Sequence, residues 1–240
     1  MADKHTEVGR MWQEFLFTNA QTIAKMQKRA GEIHASVNQK FDELPYKFHT
    51  NMVSNTFMQF ASDCFINFEH PKQVMISDGL AAIFGSIFHD TIEDCRLTYN
   101  DVVKIAREFM GQAQAELAAD IVYALTNEKG KTRVERANEK YYEGIRTTPY
   151  APAIKLCDRY ANASYANAMG TSMAKKYSDE MLSFINHITI EADNFDSKLF
   201  LPAELVRICG SFPLFQDKTK TTLGDLQVLA DLKRAMEENS

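Results

Sequence analysis

Within six residues the chain places four side chains that ligate metals or move protons: His89, Asp90, Glu93 and Asp94. They follow directly on Leu80-Ala-Ala-Ile-Phe-Gly-Ser-Ile-Phe88, a run apolar nearly all round and so read as a buried central helix. If that helix continues through them, positions four apart share a face. His89 then lies below Glu93 and Asp90 below Asp94, in two adjacent columns. Three carboxylates meet at a helix C-terminus, where the dipole disfavours anions and a neighbouring core limits solvent screening. A divalent cation relieves that cost. Imidazole nitrogen with carboxylate oxygen suits Mn2+, Fe2+, Co2+ or Zn2+ better than Ca2+. The competing interpretation is a solvated acidic turn after a core helix, the ordinary one for the acids taken alone. His89, directly behind the apolar run, brings the two interpretations level.

A cation site needs ligands from elsewhere in the chain. His49, just ahead of an apolar helix, is one candidate; Asp158, inside Ile154-Lys155-Leu156-Cys157-Asp158-Arg159, is another. A single His or Asp is more often structural, yet a charge set into an apolar helix start requires a partner. The four cysteines, Cys64, Cys95, Cys157 and Cys209, show no C-x-x-C spacing. Neither a disulfide framework nor a structural zinc site is expected, and the thiols are read as packing.

The elements that must position these groups are helices. The first ~40 residues pattern as one or two amphipathic helices, with Phe15, Ile23, Met26 and Ile33 against Lys25, Lys28 and Arg29. Asp42-Glu43-Leu44-Pro45 reads as a turn, because Pro cannot continue a helix. A helix then runs from about His49 to Phe68, and a loop at Glu69-His70-Pro71 precedes the central helix, for which Ser77 is a plausible N-cap. Thr98 to Asp101 resembles a capping box before a helix from about Val102. Further helices are expected over Ala113–Leu125, over the charged Arg133–Ile145 stretch, after Pro149 and Pro152, and from Gly170 to about Ala192. A last helix is capped near Thr222. The bulk of the chain, 1–200, reads as one domain, with 201–240 a helical appendage that can belong to it.

Composition agrees. Hydrophobic residues make up 45% and charged residues 25%, and 10 Gly with 6 Pro are too few for a turn-rich β fold. The net charge of −5 excludes a protein-wide basic field for nucleic acid but not a local phosphate pocket. No apolar stretch approaches the ~20 residues that span a bilayer. The polar start Met1-Ala2-Asp3-Lys4-His5 lacks a signal-peptide core, so the expectation is a cytoplasmic protein without membrane or nucleic-acid partners.

The order His49…His89-Asp90…Asp158 resembles the ligand pattern of the HD superfamily of metal-dependent phosphohydrolases. The likeness extends to Pro45-Tyr46-x-x-His49, Phe88-His89-Asp90-Thr91-Ile92-Glu93-Asp94, Leu125-Thr126-Asn127-Glu128-Lys129, Arg133-x-Glu135-Arg136 and Lys155-Leu156-x-Asp158-x-x-x-Asn162. Over roughly Lys25 to Ala168 the chain is similar to the (p)ppGpp hydrolases, meaning the hydrolase domain of RelA/SpoT homologues and their small single-domain relatives. That resemblance implies an all-α HD-domain bundle around one metal, with His49, His89, Asp90 and Asp158 holding Mn2+. It implies Glu93 and Asp94 as the proton-handling pair, and Lys40, Tyr46, Lys129, Arg133 and Asn162 at or near positions lining a nucleotide pocket. The implied reaction releases pyrophosphate from the ribose 3′ position of a guanosine bis(diphosphate). Thr50 replaces the Pro that usually follows the first ligand histidine, and Phe41 stands where a basic residue is usual. A phosphatase acting on another nucleotide or phosphomonoester is the second expectation. A catalytically silent HD module that only binds is the third, and the presence of all six ligand and acid residues counts against it.

Overall fold

The protein, described here by a computed structural model over residues 3–189 and 201–210, is an all-α helical bundle with one two-stranded ladder. No proline occurs before Pro45, and the first helix runs unbroken as α1 (Lys4–Ser36). Its buried side chains, Val8, Trp12, Ile23, Met26, Ala30 and His34, recur at the three- and four-residue spacing of one helical face. The turn expected at Asp42–Pro45 is the tip of a small hairpin, β1 (Lys40–Phe41) against β2 (Leu44–Pro45), with Lys40 opposite Pro45. Asp42 adopts a positive φ of 55 there, and its carboxylate accepts a hydrogen bond from the Tyr165 hydroxyl at 2.9 Å.

Next comes α2 (Lys47–Phe60), shorter than the helix through Phe68 expected from the sequence. Ala61–Phe65 tightens into a 3₁₀ turn, which directs Ala61, Cys64 and Phe65 into the core. The central helix α3 (Pro71–Phe88) starts six residues ahead of the expected cap. Pro71 opens it at the first helical position, where the missing N–H costs nothing. Ser77 lies inside the helix, its hydroxyl donating to the Val74 carbonyl at 3.1 Å.

After α4 (Thr91–Cys95), Thr98 and Asp101 form the expected capping box at the start of α5 (Tyr99–Ala106). The Asp101 amide donates to Thr98 Oγ1 at 3.2 Å and the Thr98 amide to Asp101 Oδ2 at 3.0 Å. Then follow α6 (Gln112–Leu125) and, in place of one charged helix, α7 (Arg133–Arg136) and α8 (Glu139–Thr147). Asn138 divides the last two, its Oδ1 accepting from the Tyr141 amide as an N-cap. The set continues with α9 (Ala151–Ala168), α10 (Met173–Thr189) and α11 (Ala203–Gly210). Leu201, Leu205 and Cys209 join the main core, and α11 packs on α9 and α10. The expected cap near Thr222 and the end of α10 near Ala192 lie outside the described residues. Among the described residues no helix is long and apolar enough to cross a membrane.

Helix α3 packs against α1, α2 and α6. Its crossing with α6 is close because Gly85 carries no side chain: a Cβ there would lie 2.5 Å from Ile121 Cγ2 and 3.1 Å from Ile121 Cβ. Gly85→Ala is expected to destabilise the protein, since overpacking costs roughly 1–3 kcal/mol against the ~1 kcal/mol an alanine gains in a helix. Urea denaturation of the variant checks this; an unchanged or raised midpoint would show that the crossing absorbs a methyl group.

Candidate metal centre

The contacts of α2 with both α3 and α9 bring three distant parts of the chain together. His49 lies in the first turn of α2, His89 and Asp90 follow the end of α3, and Asp158 lies on α9. His49 Nε2 is 3.3 Å from His89 Nε2, 3.5 Å from Asp90 Oδ2 and 3.3 Å from Asp158 Oδ1. His89 Nε2 is 2.9 Å from Asp90 Oδ2 and 3.9 Å from Asp158 Oδ1. Metal–ligand bonds of about 2.1 Å set neighbouring ligand atoms roughly 3.0–3.4 Å apart, so the spacing of His49, His89 and Asp90 is close to what one small divalent cation requires. His49, His89 and Asp90 form a group able to hold a metal ion, with ligand atoms within 4.8 Å of one another, and Asp158 lies beside it on the α9 side.

The surroundings hold the four side chains in ligating orientation. His89 Nδ1 lies 3.0 Å from the Ser86 carbonyl, which can only accept. A proton on Nδ1 makes that bond, which orients the ring so that Nε2 faces the centre. His49 has no such anchor among the described residues, where its buried Nδ1 finds no partner. Asp158 is held from two sides: Lys155 Nζ donates to Oδ2 at 3.0 Å and Asn162 Nδ2 to Oδ1 at 2.6 Å. The Tyr46 hydroxyl donates to Asp90 Oδ2 at 2.6 Å.

The helix does not continue through the motif. It stops at Phe88, and Asp90, with φ −98 and ψ 0, caps the short α4, although the Asp94 amide still reaches the Asp90 carbonyl at 2.8 Å. The break replaces the expected columns by three directions. His89 and Asp90 point inward. Glu93 points toward α6, where Asn127 Nδ2 donates to both its carboxylate oxygens at 2.9 and 2.8 Å. Asp94 faces the hairpin side, accepting from Gln39 Nε2 at 3.2 Å.

A cavity of about 240 Å³ adjoins the centre through Asp158, Lys155 and Glu93. Its walls are basic and aromatic, with Arg136, Arg159, Tyr141, Tyr142, Tyr177 and Phe184, and Asn162 lies on its floor. The Arg159 guanidinium stacks 4.4 Å from the Phe184 ring and pairs with Glu180. Of the residues expected to contact substrate, Asn162 alone lines this cavity. Tyr46 touches a ligand carboxylate, while Lys40 and Lys129 are exposed and away from it. The Arg133 side chain lies outside the described residues.

Sequence reasoning missed Lys155, Gln39, Asn127, Arg136 and Arg159 as site residues. Lys155 had a readable signal, because three residues before Asp158 on a helix is ion-pair spacing. Gln39 carries none, and the segment that contains Asn127 does not reveal its partner: the two reach Asp94 and Glu93 across 55 and 34 residues. Phe41 stacks on the His49 ring at 4.8 Å and meets Tyr165 edge-on, so the hairpin closes that flank with apolar surface.

Electrostatics follow from this crowding. Burial alone would lower the His49 pKa, but the carboxylates of Asp158 and Asp90 outweigh it and hold it at about 9. Burial pushes against ionisation of Asp90 and Asp158, yet the neighbouring cationic groups keep both below the usual carboxylate range. Burial likewise opposes the charge on Lys155, but Asp158 and Tyr141 raise its pKa well above the ordinary value. Asp94 is shifted upward to about 6, by burial first and by the Asp90 charge second.

No family model matches the chain, and neither does any curated protein.

With its pKa held at about 9, His49 of the metal-free protein is expected to carry a proton at neutral pH. The folded pKa of about 9 exceeds the unfolded value of 6.5, so the stabilisation is complete below pH 6.5 and is lost as pH rises through 9. A metal must displace that proton, so metal affinity should rise by about tenfold per pH unit over the same range. Thermal unfolding between pH 6.5 and about 8.5, below the range where buried thiols contribute, checks both signs. With chelator the midpoint should fall, and the upward shift caused by Mn2+ should grow. A metal-induced shift that stays flat across this range contradicts the assignment of His49 as a ligand.

Proposed function

We propose that the chain is a metal-dependent phosphohydrolase of the HD type acting on a nucleotide, with a guanosine 3′,5′-bis(diphosphate) as leading substrate and pyrophosphate as product. The observation that carries this is the convergence of His49, His89, Asp90 and Asp158 beside a cavity with basic and aromatic walls. Mn2+ is the proposed metal, in keeping with the nitrogen and oxygen donors and with the sequence resemblance. A divalent cation there supplies a Lewis acid for the phosphoryl oxygens and lowers the pKa of water.

The chain's own groups do the rest. Glu93 lies on the cavity wall, fixed by Asn127, and is placed to orient the attacking water. Asp94, with a pKa of about 6, is poised to exchange protons near neutral pH. Lys155 keeps Asp158 ionised and adds positive charge to the wall. Arg136, which has no side-chain partner among the described residues, is free to take a phosphate bidentately. The aromatic walls suit a nucleoside. One observation favours a second substrate class: the Phe41 ring on His49 occupies the flank where the resembling hydrolases carry a basic residue. On that ground a simple nucleotide or phosphomonoester, giving orthophosphate, is the alternative.

Purified protein with Mn2+ is expected to release pyrophosphate from guanosine 3′,5′-bis(diphosphate), and chelator should stop it. Asp90→Ala should abolish turnover together with metal uptake. Glu93→Ala should keep metal uptake while turnover falls by about 10²–10⁴-fold, the usual worth of positioned acid–base groups. Product analysis over a nucleotide panel separates pyrophosphate from orthophosphate. Undiminished turnover by both variants would remove the proposal.

A further inference from the structure

His34 is fully buried at the end of α1, and neither the ligand set nor the cavity uses it. Its Nδ1 lies 3.2 Å from Cys95 Sγ on α4, which ties the imidazole across two elements. Its ring stacks on Tyr46, with centroids 4.4 Å apart and planes inclined by 28°. Tyr46 is boxed by two further rings, His49 at 5.4 Å and Phe41 at 6.4 Å, both edge-on. The phenol this box leaves free to point in one direction donates to Asp90 Oδ2, the oxygen that faces both ligand imidazoles. The same phenol lies against Asp94 and favours its charged form.

We infer that His34 is a positioning residue for the metal centre: stacked on Tyr46 and anchored by Cys95, it aims the phenol at Asp90 and so fixes that carboxylate for metal binding. The inference rests on the metal reading of the site. Burial keeps the imidazole neutral, with a pKa lowered to about 4, so its effect passes through shape and the Tyr46 hydrogen bond, with no added positive charge beside the metal. Two partners deliver the effect. Tyr46 supplies the hydrogen bond that orients Asp90, and His34 supplies the surface that orients Tyr46. A hydrogen bond to a ligating carboxylate typically changes metal affinity by about 10–100-fold.

The test is Mn2+ affinity measured by titration calorimetry on the full chain, with thermal unfolding of each metal-free variant as the control for folding. Tyr46→Phe removes one hydroxyl and is expected to weaken Mn2+ binding by about 10–100-fold. His34→Ala should weaken it in the same direction. The double variant should bind no more weakly than Tyr46→Phe alone, because His34 acts through the phenol. His34→Phe, which keeps a flat ring against Tyr46, should recover most of the loss and remains informative if the alanine variant fails to fold. Losses that add in the double variant, a tyrosine variant with wild-type affinity, or a phenylalanine variant as weak as alanine would each overturn the inference. Wild-type protein that takes up no Mn2+ would overturn the metal reading and this inference together, whereas wild-type uptake with unaltered variants would overturn this inference alone.

Discussion

Two imidazoles and two carboxylates share a space a few ångströms wide inside an apolar bundle, and most of the structure around them compensates that burial. Buried ions are tolerated only when paired and fully hydrogen-bonded. Asp158 meets the condition through Lys155 and Asn162, each within one turn of it on α9. Asp90 meets it through Tyr46, delivered by a different element. The proton on His49 supplies the remaining balance in the metal-free protein, and a divalent cation would supply more than that proton does. The packing of α2 on α3 and α9 is what makes the arrangement obligatory, since the apolar faces of those helices fix how close the four groups must come.

The interruption of the helix after Phe88 carries the division of labour. A continued helix would stack Glu93 above His89 and Asp94 above Asp90, so that four groups competed for one face. Ending α3 and starting α4 one turn later lets His89 and Asp90 face inward while Glu93 and Asp94 diverge to Asn127 and Gln39. Separate surroundings give the two acids separate properties. Both carboxylate oxygens of Glu93 accept from the Asn127 amide at the edge of the cavity, whereas burial and the Asp90 charge shift the Asp94 pKa upward.

Much of this was legible in the residues. The central apolar run, the capping box at Thr98 and the four convergent ligands each carry a local signal: periodicity, cap chemistry, or ligand types where a core helix ends. The helix break was not legible, because His89-Asp90 has no Gly or Pro to mark it and its conformation is set by what the side chains must reach. The start of α3 was misplaced for a related reason: Ser77 has cap chemistry, but Pro71 sets the geometry earlier. Gln39 and His34 leave no mark in the sequence, and Asn127, though inside a segment that carries the resemblance, gives no sign of its partner Glu93, since such partners are chosen by tertiary packing. Tyr46 was expected at a position lining a nucleotide pocket, and its hydrogen bond to Asp90 emerges only when α1, the hairpin and α4 are assembled.

The two flanks of the centre are unlike, and that asymmetry bears on how a substrate enters. On the hairpin flank Phe41, Phe48 and Tyr165 pack together, with Phe41 lying over His49 and Asp42 tethered to Tyr165. That side offers rings and a short ladder. The opposite flank, between α8, α9 and α10, opens onto Lys155, Arg136 and Arg159 with aromatic walls behind them. Phosphate is drawn to the cationic side and a flat ring to the aromatic one, and here both lie in the same direction from Asp158. A phosphorylated ligand would therefore approach from the α10 flank with its charge toward Asp158 and Glu93, and the hairpin would act as the closed back of the site. On that flank Tyr177 and Phe184 of α10 supply the aromatic surface, so the shape of the organic part such a ligand could carry would be set largely by this helix.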